Sequence, residues 1–146
     1  MDEKKFWQIL DMLDWDSAGD DNAVLAPAVE YLSKLSDEDI FAFEDIMSRL
    51  LYDLDSKRLA IRLYGDALHF SGDMFLYQRC VALINGEQFY RDIVSFKRPL
   101  DEDLEFEALI YLPQNAWAKK HSKEPEEYPY YPKVSYETGS NEELWK

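Results

Sequence analysis

The sequence predicts an all-α protein, a compact bundle of six or seven short helices followed by an irregular Pro/Tyr-rich C-terminal tail. Three observations carry this. Apolar residues recur at spacings of three and four through most of the chain, hydroxyl and acidic residues stand at the starts of those runs, and no strand-like alternation extends beyond a few residues. With 47% hydrophobic and 15% aromatic residues among 146, the chain is too apolar for a disordered segment, although 32% of positions are charged. A helical domain over residues 1–121 and an extended tail over 122–146, packed on it or projecting from it, is the expected division.

Phe6, Ile9, Leu10 and Leu13, with Trp7 beside them, predict a first helix over residues 3–14 with one buried face. The run from Asp14 to Asn22 is built of turn and cap formers and breaks it. Val24, Leu25, Ala28, Tyr31, Leu32 and Leu35 then predict a helix over 23–34, in which Pro27 fits only within the first turn. Ser36 followed by Asp37, Glu38 and Asp39 is a strong start signal, because a hydroxyl caps the first N–H groups and acids favour the positive end of the helix dipole. The helix that follows should run to about residue 54 around Phe43, Ile46, Met47 and Leu50.

Ser56 starts a predicted fourth helix that reaches His69, and Asp73 is placed to cap a fifth that Asn85-Gly86 closes. A short helix fits residues 87–95, and 96–103 reads as a loop around Pro99. Leu104, Phe106, Leu109, Ile110 and Leu112 predict a last helix that Pro113 should kink or interrupt before Trp117. Beyond His121, Pro125, Pro129 and Pro132 among Tyr128, Tyr130, Tyr131 and Tyr136 suit an extended segment.

The formal net charge of -14 is unevenly spread: -11 over residues 1–55, +3 over 56–100 and -6 over 101–146. This opposes binding to nucleic acid or to an anionic membrane and favours a basic protein partner, whose approach such a field would steer. No stretch is apolar enough to span a membrane, the opening Met1-Asp2-Glu3-Lys4-Lys5 has no apolar signal core, and the single Cys80 forms no disulfide framework; a cytoplasmic protein is expected.

Motifs for chemistry are sparse. Asp14 to Asn22 resembles the opening of a calcium loop, but Leu25 stands where the bidentate Glu is needed, so the segment reads as an acidic turn and no metal is expected. His69 and His121 lie in no metal-ligand spacing, Cys80 falls inside a helix as a small apolar group, and no nucleophile elbow, phosphate loop or dinucleotide fingerprint occurs. No cofactor is expected. The pairs Glu44-Asp45 and Glu105/Glu107 read as solvated faces in a chain with 30 acids. Tyr128, Tyr130, Tyr131, Tyr136 and Trp145 either pack the tail onto the helices or form an interaction surface.

Several blocks together resemble the bacterial domain of unknown function 4240 family: Lys5-Phe6-Trp7-Gln8-Ile9-Leu10, Leu35 to Phe43, Ser71-Gly72-Asp73-Met74-Phe75-Leu76-Tyr77-Gln78-Arg79 with Leu83-Ile84-Asn85-Gly86, and Leu104 to Tyr111. The resemblance spans about residues 4–120 and implies a helical fold without an established activity. The chain departs from that pattern at Cys80 and Val81, where a Trp is usual, and in the tail.

The functional expectation is a non-enzymatic, acidic protein-binding domain, such as an immunity-type neutraliser of a basic toxin. Its contacts are expected from Asp14, Asp16, Asp20, Asp21, Asp37, Glu38, Glu44 and Asp45. The alternative is an enzyme or small-ligand domain with a cleft near Asp73, Tyr77 and Arg79, favoured if Asp73 and Arg79 face solvent.

Overall fold

A computed structural model describes all 146 residues, and its regular structure is all helical, with no strands. Seven α-helices occur in order: α1 (Glu3–Leu10), α2 (Asp21–Ser33), α3 (Asp37–Asp53), α4 (Lys57–Tyr64), α5 (Gly72–Ile84), α6 (Glu87–Val94) and α7 (Leu112–His121). Short 3-10 turns cover Trp15–Ser17, Glu107–Tyr111, Pro125–Glu127 and Glu142–Trp145. No helix is long and apolar enough to cross a membrane. By contacts the chain forms two units, Met1–Met47 with Ala108–Lys133, and Ser48–Glu107 with Val134–Lys146.

The helix starts follow the caps that the sequence offers. Asp2, Asp20, Ser36, Ser56 and Ser71 each accept a backbone N–H of their helix's first turn, at 2.8 to 3.1 Å. The fifth cap corrects an expectation: Ser71 Oγ takes the Met74 N–H, and Asp73 lies inside the first turn of α5. A hydroxyl two residues earlier is better placed, and Asp73 contributes only its charge near the helix start.

Three element boundaries and the placement of Pro27 also differ from expectation. Helix α1 stops at Leu10, four residues early, because the Met12 and Leu13 N–H groups turn back to Ile9 and Leu10; Leu13 is still buried, which is why the apolar spacing ran on. Helix α4 ends at Tyr64, since Gly65 takes φ +85° and its N–H closes on the Ile61 carbonyl. Pro27 is the seventh residue of α2, beyond the first turn; it sits exposed on the water side, where the helix tolerates a missing N–H. Residues 104–106 are not helical, and Pro113 opens α7 instead of kinking a helix, which suits a residue whose absent N–H would have no partner there.

In the first unit α2 packs against α7 and α1. Phe6 sits at the centre with its ring 4.7 Å from Phe43 and edge-on to Trp7 at 5.2 Å. Val24, Leu32, Ile40, Met47 and Leu109 close this core with no exposure, each stabilising by about 1.5–3 kcal/mol relative to an exposed side chain. The tail segment 125–133 lies in the same unit: Tyr130 stacks on Phe41 at 4.6 Å, and Tyr128 meets Phe41 and Trp117 edge-on.

In the second unit α5 packs on α6, and α4 packs on the last 3-10 turn. Leu51, Phe75, Cys80, Leu83 and Ile93 fill the core. Its tail segment is fastened by two buried ionisable groups. Asp55 accepts the Gly139 and Asn141 N–H groups and the Trp145 indole N–H, and Arg79 donates to the Leu51 and Tyr136 carbonyls and to Thr138 Oγ1. Trp145 in turn stacks on Phe70 and meets Phe75 edge-on.

Candidate functional site

The acidic turn between α1 and α2 is the most structured of the candidate regions. Asp14 Oδ1 accepts the Asp16 N–H and its Oδ2 accepts the Ser17 hydroxyl, while the Asp14 N–H is held by the Val24 carbonyl at 2.9 Å. Asp20 caps α2 through the Ala23 N–H, and its own N–H reaches the Ser17 carbonyl. These bonds fix the backbone on which Trp15 stands 47% exposed, with exposed Asp16 next to it. A large indole held half in water beside carboxylates on a fixed turn is chemically suited to a guanidinium or ammonium, through its ring face and through charge.

The other acids expected to contact a partner are placed differently. Asp21 is half-buried in the first turn of α2, and Glu38 is exposed in the first turn of α3. Asp37 is held by Lys120 at 2.9 Å and by His121 at 2.8 Å, and these hydrogen bonds, that of Lys120 foremost, keep its carboxyl below the usual range. Asp45 accepts the Tyr130 hydroxyl at 2.5 Å and the Lys133 N–H at 3.0 Å. That bond, assisted by desolvation, pushes the Tyr130 hydroxyl up to about 12. Glu44 is 6% exposed and lies inside the first unit. Glu44 and Asp45 thus face the tail segment and Asp37 faces α7, while Asp16, Asp20 and Glu38 are exposed.

At the alternative cleft, Arg79 is turned inward. Arg79 has no exposed surface and spends its guanidinium on three protein oxygens at 2.8 to 3.1 Å and on the Phe75 ring. Burial pulls its pKa down and the Asp55 charge opposes that. Asp73 is exposed, and Tyr77 is half-buried with its hydroxyl pKa raised by desolvation, then by Glu107. The three positions lie within seven residues of one helix, yet Arg79 alone points into the core. Cys80 is fully buried, and burial pushes its thiol up to about 12, so no thiolate is available at neutral pH.

Three features escaped the sequence reading: the exposed Trp15, the buried Asp55, and a cavity beside α4. Trp15 was legible as an aromatic amid turn formers. Asp55 was not, because its three donors lie 84 to 90 residues away.

The fold is that of a small all-helical protein whose longest C-terminal stretch is held by side chains and not by regular structure. Residues 1–119 match the family model described as protein of unknown function (DUF4240), and the chain belongs to that family. No curated protein and no solved structure matches it.

Proposed function

We propose that the protein is a non-enzymatic binding module whose acidic turn, residues 14–21, docks a basic face of another protein and masks it, as an immunity-type neutraliser of a basic toxin would. The observation that carries this reading is Trp15, 47% exposed on a backbone that Asp14 and Asp20 hold rigid. A half-exposed indole offers a ring face to a cation, and an anchor on a preorganised turn loses little entropy on binding. The net -11 of residues 1–55 supports the same reading, since it would accelerate encounter with a cation. The enzyme alternative lacks its polar centre, because Arg79 is occupied within the fold.

The test is an affinity capture from lysate of the source cell, run in parallel with the native protein and a Trp15→Ser/Asp16→Lys variant at low and moderate salt. A basic protein retained by the native chain, weakened by salt and lost with the variant, is the expected result. Equal capture by both proteins would remove the turn from the interface, and a partner of acidic character would overturn the reading.

A further inference from the structure

The second unit holds a cavity of about 270 Å3 walled by Leu54, Leu59, Ile93, Val94, Phe96 and Leu144, with Ser56 and Arg58 also lining it. At about 30 Å3 for each water in the liquid, that is room for roughly nine waters or an organic body of similar size. It shares Arg58 and Leu144 with a shallower groove that adds Ile61, Arg62 and two lysines, Lys57 and Lys146. Val94, Ile61 and Leu144 are each more than 40% exposed there.

The charges at this mouth are unusual for so acidic a chain. Arg58 and Arg62 are one helical turn apart on α4, and both guanidiniums lie over the same ring, at 3.8 and 5.3 Å from the Phe96 centroid. Like charges at this spacing repel, and neither arginine forms an ion pair, nor does Lys57. Asp53, the one acid lining the cavity, is itself engaged within the protein.

The ring beneath them occupies a position that a phenylalanine rarely takes. Phe96 has φ +59° and is the left-handed residue of a helix-ending motif: its N–H bonds to the Ile93 carbonyl and the Lys97 N–H to the Asp92 carbonyl. Glycine is the ordinary residue there. A bulky side chain kept against local preference, serving as platform for two converging cations, is the kind of exception that functional sites retain.

We infer that this cavity binds a small organic anion with an apolar body, its carboxylate, sulfonate or phosphate head held between Arg58 and Arg62 and its chain or ring lodged among Leu54, Ile93, Phe96 and Leu144. A fork of two guanidiniums suits an oxyanion geometrically, and relief of their mutual repulsion adds to the attraction. The occupant is a small molecule because the apolar volume is a pocket of limited size, open at a mouth beside the cations, as ligand sites are. The site uses different residues from the acidic turn and stands independently of the function proposed above.

The test titrates the full chain with octanoate, and separately with octanol, following the Ile93 and Leu144 methyl signals by NMR. Octanoate is expected to shift both methyls saturably and to bind at least about tenfold more tightly than octanol. Arg58→Gln/Arg62→Gln, at two exposed positions, should reduce octanoate affinity by a similar factor and leave octanol unchanged, while Phe96→Gly, which suits the left-handed backbone, should weaken both. Equal binding of octanol and octanoate, or full octanoate affinity in the double arginine variant, would overturn the anion site. Binding of an acidic Leu/Glu peptide at these methyls without any response to octanoate would overturn the small-molecule occupant.

Discussion

The indole N–H of Trp145 donates to Oδ1 of Asp55 over 2.7 Å, joining the second-last residue of the chain to the residue between α3 and α4. Asp55 has no exposed surface, and its other acceptances are the Gly139 and Asn141 N–H groups. A single carboxylate therefore answers three donors that no regular structure serves.

Asp55→Ala leaves the buried Asn141 N–H without its acceptor, turns the part-buried Gly139 and Trp145 donors over to water, and withdraws the negative charge that Arg79 senses. A loss of about 2 kcal/mol is expected, since an orphaned buried donor costs about 1–3 kcal/mol. Urea unfolding followed by Trp fluorescence reads it. A loss under about 1 kcal/mol would mean that the tail contributes little to the fold.

Pro27→Ala should act in the opposite direction. The proline interrupts α2 at an exposed interior position, so alanine restores one backbone hydrogen bond and a better helix former. A gain of about 1–3 kcal/mol is expected, seen as a higher urea midpoint at unchanged slope. A lowered midpoint would show that the missing N–H shapes the helix for packing.

Acid should weaken the first unit through Asp37. Lys120 and His121 depress its pKa in the folded state, so its stabilisation is complete above the unfolded value near 4 and is lost as pH falls below it. Asp37→Asn is expected to be less stable at neutral pH and to show a flatter acid limb in urea midpoint against pH. An identical acid limb in the two proteins would exclude Asp37 as a source of it.

Alkali should act through Tyr130, whose hydroxyl is raised to about 12 by its bond to Asp45. A tyrosine with a raised folded pKa stabilises fully below the unfolded value near 10, and that share is lost as pH climbs from about 10 to about 12. Tyr130→Phe keeps the stack on Phe41, costs about 1 kcal/mol at neutral pH, and should flatten the alkaline limb. Tyr64, also raised to about 12 by desolvation, supplies part of the limb that remains.

What the sequence made legible were local signals with a fixed chemistry. Ser36 and Ser56 announce their helices because a hydroxyl cap works within three residues, and Asn85-Gly86 marks the end of α5 for the same reason. Gly65 carried an equally local signal that the continuing apolar spacing of Ala67 and Leu68 obscured. Pro113 was ambiguous because proline both breaks helices and opens them, and the choice depended on whether residues 104–111 were already helical. Charge could be counted but not assigned: Asp16 and Asp45 look alike in sequence, and only the tail's return to α3 turns one of them into a partner for Tyr130. Arg79 sits in a block that reads as a possible site, yet its three acceptors come from the end of α3 and from residues 136 and 138.

The most direct test of the proposed role is the association rate of the captured partner with the native protein and with Trp15→Ser/Asp16→Lys, measured by stopped flow across ionic strength. The account predicts a native rate that falls about tenfold or more between low and physiological salt, with slower association and faster dissociation in the variant. A rate insensitive to salt, with the variant indistinguishable from the native chain, would contradict it.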